Sequence, residues 1–184
     1  TFLAKAAIYS REKAYLKDAP ALLCAVLSVT EPVLLPDVFR RVIDDGKMLR
    51  TFVQIIRSGA VGRKSLGTLP KKLVEEWLET RSDREVFHSS IGTSPSLADV
   101  VKMVHPRPKD ASRRALYGYL IGKDVNAAEL PREVTDFEAW KAGRSESVPD
   151  VPFRMLTGLE LPPRVWKEIA RNASEAAQIA RQAV

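Results

Sequence analysis

Short apolar stripes at helical spacing, each cut off by a glycine or a proline, recur along most of this 184-residue chain. Leu49, Phe52, Val53 and Ile56 follow the i, i+3, i+4, i+7 pattern, and so do Leu97, Val100, Val101 and Val104. Leu73, Val74, Trp77 and Leu78 form a similar row, as do Leu116, Tyr119 and Leu120. Such rows bury one face of a helix. No convincing strand alternation accompanies them. Pro20, Pro32, Pro36, Gly59, Gly62, Gly67, Pro70, Pro95, Pro106 and Pro108 punctuate the pattern. Pro70 suits the first turn of a helix, and Ser96 with Asp99 makes a capping-box-like start.

The expected fold is therefore all-α, with helices near 2–16, 18–29, 36–45, 47–58, 69–80, 96–105, 110–122, 131–142, 151–157 and 163–184. Many short helices with brief connections point to antiparallel pairs stacked as an α-solenoid in one domain. Segment 124–150 is polar and reads as a long connection carrying the helix around Phe137 and Trp140. The aromatic residues Tyr9, Trp77, Tyr117, Tyr119, Trp140 and Trp166 fall mostly at core spacing. Tyr117, beside Arg113 and Arg114, is a candidate for stacking on a base.

No apolar run approaches the roughly 20 residues that span a bilayer, and no signal peptide is visible. The single Cys24 lies in an apolar run and is expected to be buried and inert, which fits a reducing, cytoplasmic setting. A first residue that is Thr, and a helix-like final run without a stop signal, suggest a fragment of a longer protein.

The net charge of +6 is unevenly spread. Residues 40–72 hold nine cations (Arg40, Arg41, Lys47, Arg50, Arg57, Arg63, Lys64, Lys71 and Lys72) against Asp44 and Asp45. Residues 102–123 hold Lys102, Arg107, Lys109, Arg113, Arg114 and Lys123 against Asp110 alone. Two basic blocks on an otherwise acidic chain suit a phosphate-binding footprint, or else solvated helix faces.

No catalytic constellation accompanies these cations. Gly62-Arg63-Lys64-Ser65 invites comparison with a phosphate loop, but that loop needs Gly directly before Lys and another Gly five residues earlier. Arg63 and Ser58 stand there instead, which excludes nucleotide hydrolysis by that device. A basic turn between Gly59 and Pro70 could still hold a phosphate, or be an ordinary helix connection. Asp110-Ala-Ser112-Arg-Arg114 departs from the Asp-x-Ser-x-Ser of adhesion-type metal sites, and Asp110 is better read as a helix N-cap. His88 has no nearby Cys or second His, so no metal is expected. Glu75 and Glu76 read as a solvated face. His105 ends the 97–104 stripe, with Lys102 one turn back and Arg107 and Lys109 just beyond. It suits either a phosphate-binding edge or a hydrogen bond to a neighbouring loop.

The run Arg57–Trp77, RSGAVGRKSLGTLPKKLVEEW, resembles the TROVE module of the Ro autoantigen family and its bacterial relatives. There a Gly-Arg turn leads into a helix with an early basic residue and a late Trp. Ser94–Pro108, SPSLADVVKMVHPRP, is similar to the family's Ser-x-x-Asp helix that ends in His before a Pro-containing turn. Ile8–Glu12 and Lys17–Leu22 resemble its start. The likeness covers most of residues 1–157 and is strongest at 47–108.

The resemblance implies a segment of a ring of HEAT-like helical repeats that is larger than this chain. It implies binding of small structured non-coding RNAs (Y-type) and of single-stranded ends of misfolded RNAs. It also implies an exoribonuclease or other RNA-processing partner of the full-length protein, with no enzyme activity, cofactor or membrane. By position, the resemblance makes His105 the RNA-binding histidine, Gly62-Arg63 the Gly-Arg turn, and Lys71 and Lys72 the basic helix start; with the neighbouring basic residues, the set expected to contact RNA is Arg57, Arg63, Lys64, Lys71, Lys72, His88, Lys102, His105, Arg107 and Lys109. One departure stands out: where the family places two basic residues four apart, an ungapped alignment puts His88 and Gly92. A protein-binding helical scaffold that docks an acidic partner is the alternative reading.

Overall fold

The computed structural model describes residues 1–92, 95–152, 155 and 171, and among them every regular element is helical. The chain divides into two compact units, 1–130 and 131–184.

Unit one opens with α1 (Phe2–Glu12) and α2 (Ala19–Thr30). They meet through small residues, Ala4, Ala7 and Ser10 on α1 and Ala21, Cys24 and Ala25 on α2, all buried. Small side chains let the two backbones approach, and the Ser10 hydroxyl is satisfied by the Ala7 carbonyl at 2.8 Å. Helix α1 stops four residues short of the expected Leu16. Ala14 and Leu16 face solvent, and the Ala14 and Leu16 N–H groups fold back to the Tyr9 and Ser10 carbonyls. Tyr9, expected in the core, is exposed.

A 3₁₀ turn at Pro32–Leu34 leads into α3 (Leu35–Val42), and α4 spans Gly46–Ser58. α3 ends earlier than its apolar pattern suggests because the next two acids have other tasks. Asp44 and Asp45 take the Arg11 guanidinium, and Asp45 also caps α4 by accepting from the Met48 N–H at 2.7 Å. Leu49, Phe52, Val53 and Ile56 are fully buried, as their spacing predicts. Gly59 closes α4 in the left-handed region at φ +86°, where any other residue would be strained.

Next come α5 (Thr68–Thr80), α6 (Asp83–His88), α7 (Leu97–Val104) and α8 (Ala111–Leu120). Reciprocal capping boxes start α6 (Ser82 with Glu85) and α7 (Ser96 with Asp99), and Asp110 caps α8 by accepting from the Arg113 N–H. Contacts run α1 to α2 and α3, α2 to α3 and α4, α3 to α5, α4 and α5 to α7, and α6 and α7 to α8. The core therefore grows by successive helices added to the side of earlier ones.

In unit two, α9 (Arg132–Lys141) buries Val134, Phe137 and Trp140 along one face, with the Phe137 and Trp140 rings 6.4 Å apart. The helices expected near 151–157 and 163–184, and Trp166, lie outside the described residues apart from a few positions. No helix among the described residues is long and apolar enough to cross a membrane.

Candidate nucleic-acid interface

The first basic block is largely consumed by the fold. Arg40 makes a two-pronged contact with Glu76 (2.7 and 3.2 Å) and Arg41 does the same with Glu12 (2.9 and 2.8 Å). The Arg40 contact draws the Glu76 carboxyl below its ordinary range. Lys47 faces Asp18 at 4.0 Å. Arg50 is half-buried: it donates to the Ser89 carbonyl at 3.0 Å, and burial lowers its pKa. Arg63 turns inward, donating from Nη2 to the Ser28 hydroxyl at 2.8 Å, so it ties the Gly59–Gly67 turn to α2. This differs from the open phosphate contact that a basic turn suggests.

The remaining members of the block are dispersed. Lys64 is exposed, its stem passing over Gly59. Lys71 lies 3.9 Å from Glu75, and Lys72 is exposed beside Glu76. Arg57 is exposed at the end of α4 and faces Asp99 on α7.

The second block is gathered into one place. The end of α7, the Pro106–Pro108 turn, the outer face of α8 and residues 123–125 enclose an open groove of about 610 Å³. Lys102, His105, Arg107, Arg114 and Lys123 are exposed along it, and Asp124 is its one acid. Half-buried Pro106, Ile121 and Val125 give it apolar surface. Gly118 is required here, because a Cβ at that position would sit 2.5 Å from Val125 Cγ1 and push the wall away.

Three local devices hold the groove in shape. His105 caps α7 at φ +53°, ψ +57°, with its N–H on the Val101 carbonyl. A histidine in the left-handed region is uncommon, and strain of this kind gathers at functional positions. Arg114 donates to the Pro108 and Lys109 carbonyls (3.2 and 2.5 Å), which fixes the turn that presents Arg107. Asp99 anchors the start of α7. Its carboxyl is held below the ordinary range first by the Ser96 N–H and hydroxyl, with the charges of Lys102 and Arg57 adding to the effect. Lys109 lies on a neighbouring hollow of about 380 Å³ that Arg107 shares with Glu79 and Arg113.

Of the ten residues expected to contact RNA, Lys102, His105 and Arg107 come together in the groove, and Arg57 and Lys109 lie beside it. Arg63, Lys64, Lys71 and Lys72 belong to the earlier turn and α5. His88 ends α6 half-buried, its ring 6.4 Å from that of Phe87. Near it, Gly92 is packed against the Arg50 guanidinium, where a Cβ would meet Nη1 at 2.6 Å. The cation beside Gly92 therefore comes from α4.

Arg114 and Lys123, counted in the second basic block but left out of the expected RNA-contacting set, also line the groove. Arg113 and Arg114 look equivalent in sequence, but consecutive helical positions point about 100° apart. Arg113 goes inward to Asp83 (2.5 Å) and to the Leu78 and Arg81 carbonyls, and lies over the Tyr117 ring. Tyr117 is only 4% exposed and its hydroxyl donates to the Leu78 carbonyl, so it cannot serve as an open stacking platform. Among the described residues no cluster of three or more His, Cys, Asp or Glu could hold a metal.

Comparisons with protein-family models, with curated proteins and with solved structures find no match to this chain.

Proposed function

We propose that the chain is an RNA-binding segment of a Ro-like, HEAT-repeat ribonucleoprotein, non-enzymatic and cytoplasmic, which takes structured non-coding RNAs and single-stranded RNA ends. The observation that carries this reading is the α7–α8 groove, where four cations and His105 line the wall with one acid beside apolar surface. Such a groove favours phosphates by charge and gives affinity without reading sequence. Discrimination then comes from RNA shape and from unpaired ends. The side-by-side accretion of helix on helix supports the repeat reading, and a single free cysteine, Cys24, fits a reducing setting.

The test is competition. Retention of a labelled hairpin RNA with a single-stranded 3′ tail is measured for the chain and for His105→Ser, with unrelated RNA or an acidic protein as competitor. The expected result is displacement by RNA, resistance to the protein, and weaker retention by the variant. Displacement by the acidic protein alone would favour a scaffold that docks an acidic partner, and would overturn the RNA reading.

A further inference from the structure

We propose, resting on the RNA reading of the α7–α8 groove, that the hollow beside it takes an unpaired guanine of the bound strand and that the Glu79 carboxylate selects this base. The end of α5, residues 107–110 and the start of α8 line the hollow, and its volume of about 380 Å³ is that of a small-ligand site. Arg107 lines both spaces. A strand whose phosphates lie in the groove therefore reaches the hollow by passing over Arg107.

Glu79 is the acid that the fold leaves unused. The other acids of α5 and α6 are engaged: Glu75 by Lys71, Glu76 by Arg40, Asp83 by Arg113, and Glu85 by Arg81 and Ser82. Glu79 is exposed and has no ion-pair partner among the described residues. It stands one residue from the end of α5, whose last turn carries no basic residue, so the helix dipole opposes its charge. Elsewhere in the hollow, Asp110 accepts from the Arg113 N–H, and the Arg113 guanidinium is taken up by Asp83 and two carbonyls. One available carboxylate is thus set in the same hollow as two exposed cations, Arg107 and Lys109.

This pairing of charges selects the ligand. The cations take phosphates, which the carboxylate repels. A carboxylate only accepts hydrogen bonds, so it needs a base edge that donates. On the Watson–Crick edge, uracil sets its one N–H between two carbonyls. Adenine and cytosine set their amino group beside a ring-nitrogen acceptor. Guanine alone offers two donors side by side, N1–H and the 2-amino group, which match the two carboxylate oxygens. A duplex hides this edge in pairing, so the base read here is unpaired.

The test uses a labelled hairpin RNA with a single-stranded 3′ tail, uridine throughout or with guanosine or inosine at alternate positions, bound to the chain and to Glu79→Gln. Inosine keeps N1–H and lacks the 2-amino group, and glutamine keeps the shape and removes the charge. Glu79 is exposed, so the variant keeps the fold, which circular dichroism checks. The chain is expected to hold the guanosine tail about tenfold more tightly than the uridine tail. Inosine is expected to fall between them, and Glu79→Gln to lose the preference. Equal affinity of the chain for guanosine and uridine tails would overturn the guanine site and leave the RNA reading standing. A preference that survives in Glu79→Gln would also overturn it. So would displacement of the guanosine tail by an equal concentration of free guanosine monophosphate, which would make the hollow a site for a free nucleotide. Absence of binding to every tail would refute the RNA reading and the guanine site together.

Discussion

Two residues show how local chemistry sets this site. Gly118 lacks a side chain because Val125 occupies the space where its Cβ would be. Gly118→Ala is expected to destabilise by about 1–3 kcal/mol through overpacking, read as a lower melting temperature, and to disturb binding in the groove. His105 holds a left-handed cap that glycine would fill without strain. His105→Gly is therefore expected to leave stability unchanged or raise it by up to about 1 kcal/mol, while weakening RNA binding. A variant that binds as tightly as the parent would remove the imidazole from the account. At this scale the sequence was legible where a single residue type has few uses: Asp110 as a cap, Cys24 as core, Gly59 as a helix stop. It was illegible where two identical neighbours diverge, as Arg113 and Arg114 do, because only the packed neighbour decides which one turns inward.

The elements are held by caps and staples as much as by apolar rows. Ser96 with Asp99 and Ser82 with Glu85 start α7 and α6, and both carboxyls are held below their ordinary range, chiefly by the backbone N–H of the capping serine. A carboxyl whose folded-state pKa is depressed stabilises the protein fully above its unfolded pKa, near 4 for such groups. That contribution is lost as pH falls through the lower folded value. The melting temperature is thus expected to drop on acidification below about pH 4, with a flatter profile for Asp99→Asn. An identical acid profile for the variant would contradict this role. Arg113 staples α8 to the α5–α6 connection through Asp83 and two carbonyls. Arg113→Ala is expected to cost about 2–4 kcal/mol in urea unfolding, and Arg113→Lys to recover little of it, since an ammonium cannot make the forked contact. Helices with an apolar stripe were readable from sequence to within a few residues. The six-residue α6 was not, because its only advance sign was Ser82 followed three later by Glu85, and it carries no stripe. The overrun of α1 has the opposite cause: Ala14, Tyr15 and Leu16 prolong an apolar pattern that the fold leaves in solvent.

Across the whole molecule, a basic composition resolves into two different uses of charge. Arg40, Arg41 and Lys47 close the fold by pairing with Glu76, Glu12 and Asp18, where each exposed pair contributes little to stability. Those of 102–123, Arg113 apart, are left at the groove and its edge, where an anion can be bound. A count of charges along the sequence located both blocks, but it could not separate paired from available cations, because the acids that neutralise the first block lie up to 36 residues away. The salt dependence of binding to a hairpin RNA with a single-stranded tail separates available cations from paired ones. It is measured for the chain and for the variant Lys102→Ala, Arg107→Ala, Arg114→Ala, Lys123→Ala, with folding of both confirmed. The expected result is a steep fall of log affinity with log salt for the chain, and a slope shallower by about one unit per removed cation in the variant. An unchanged affinity and slope in the folded variant would contradict the assignment of the groove as the RNA-binding site.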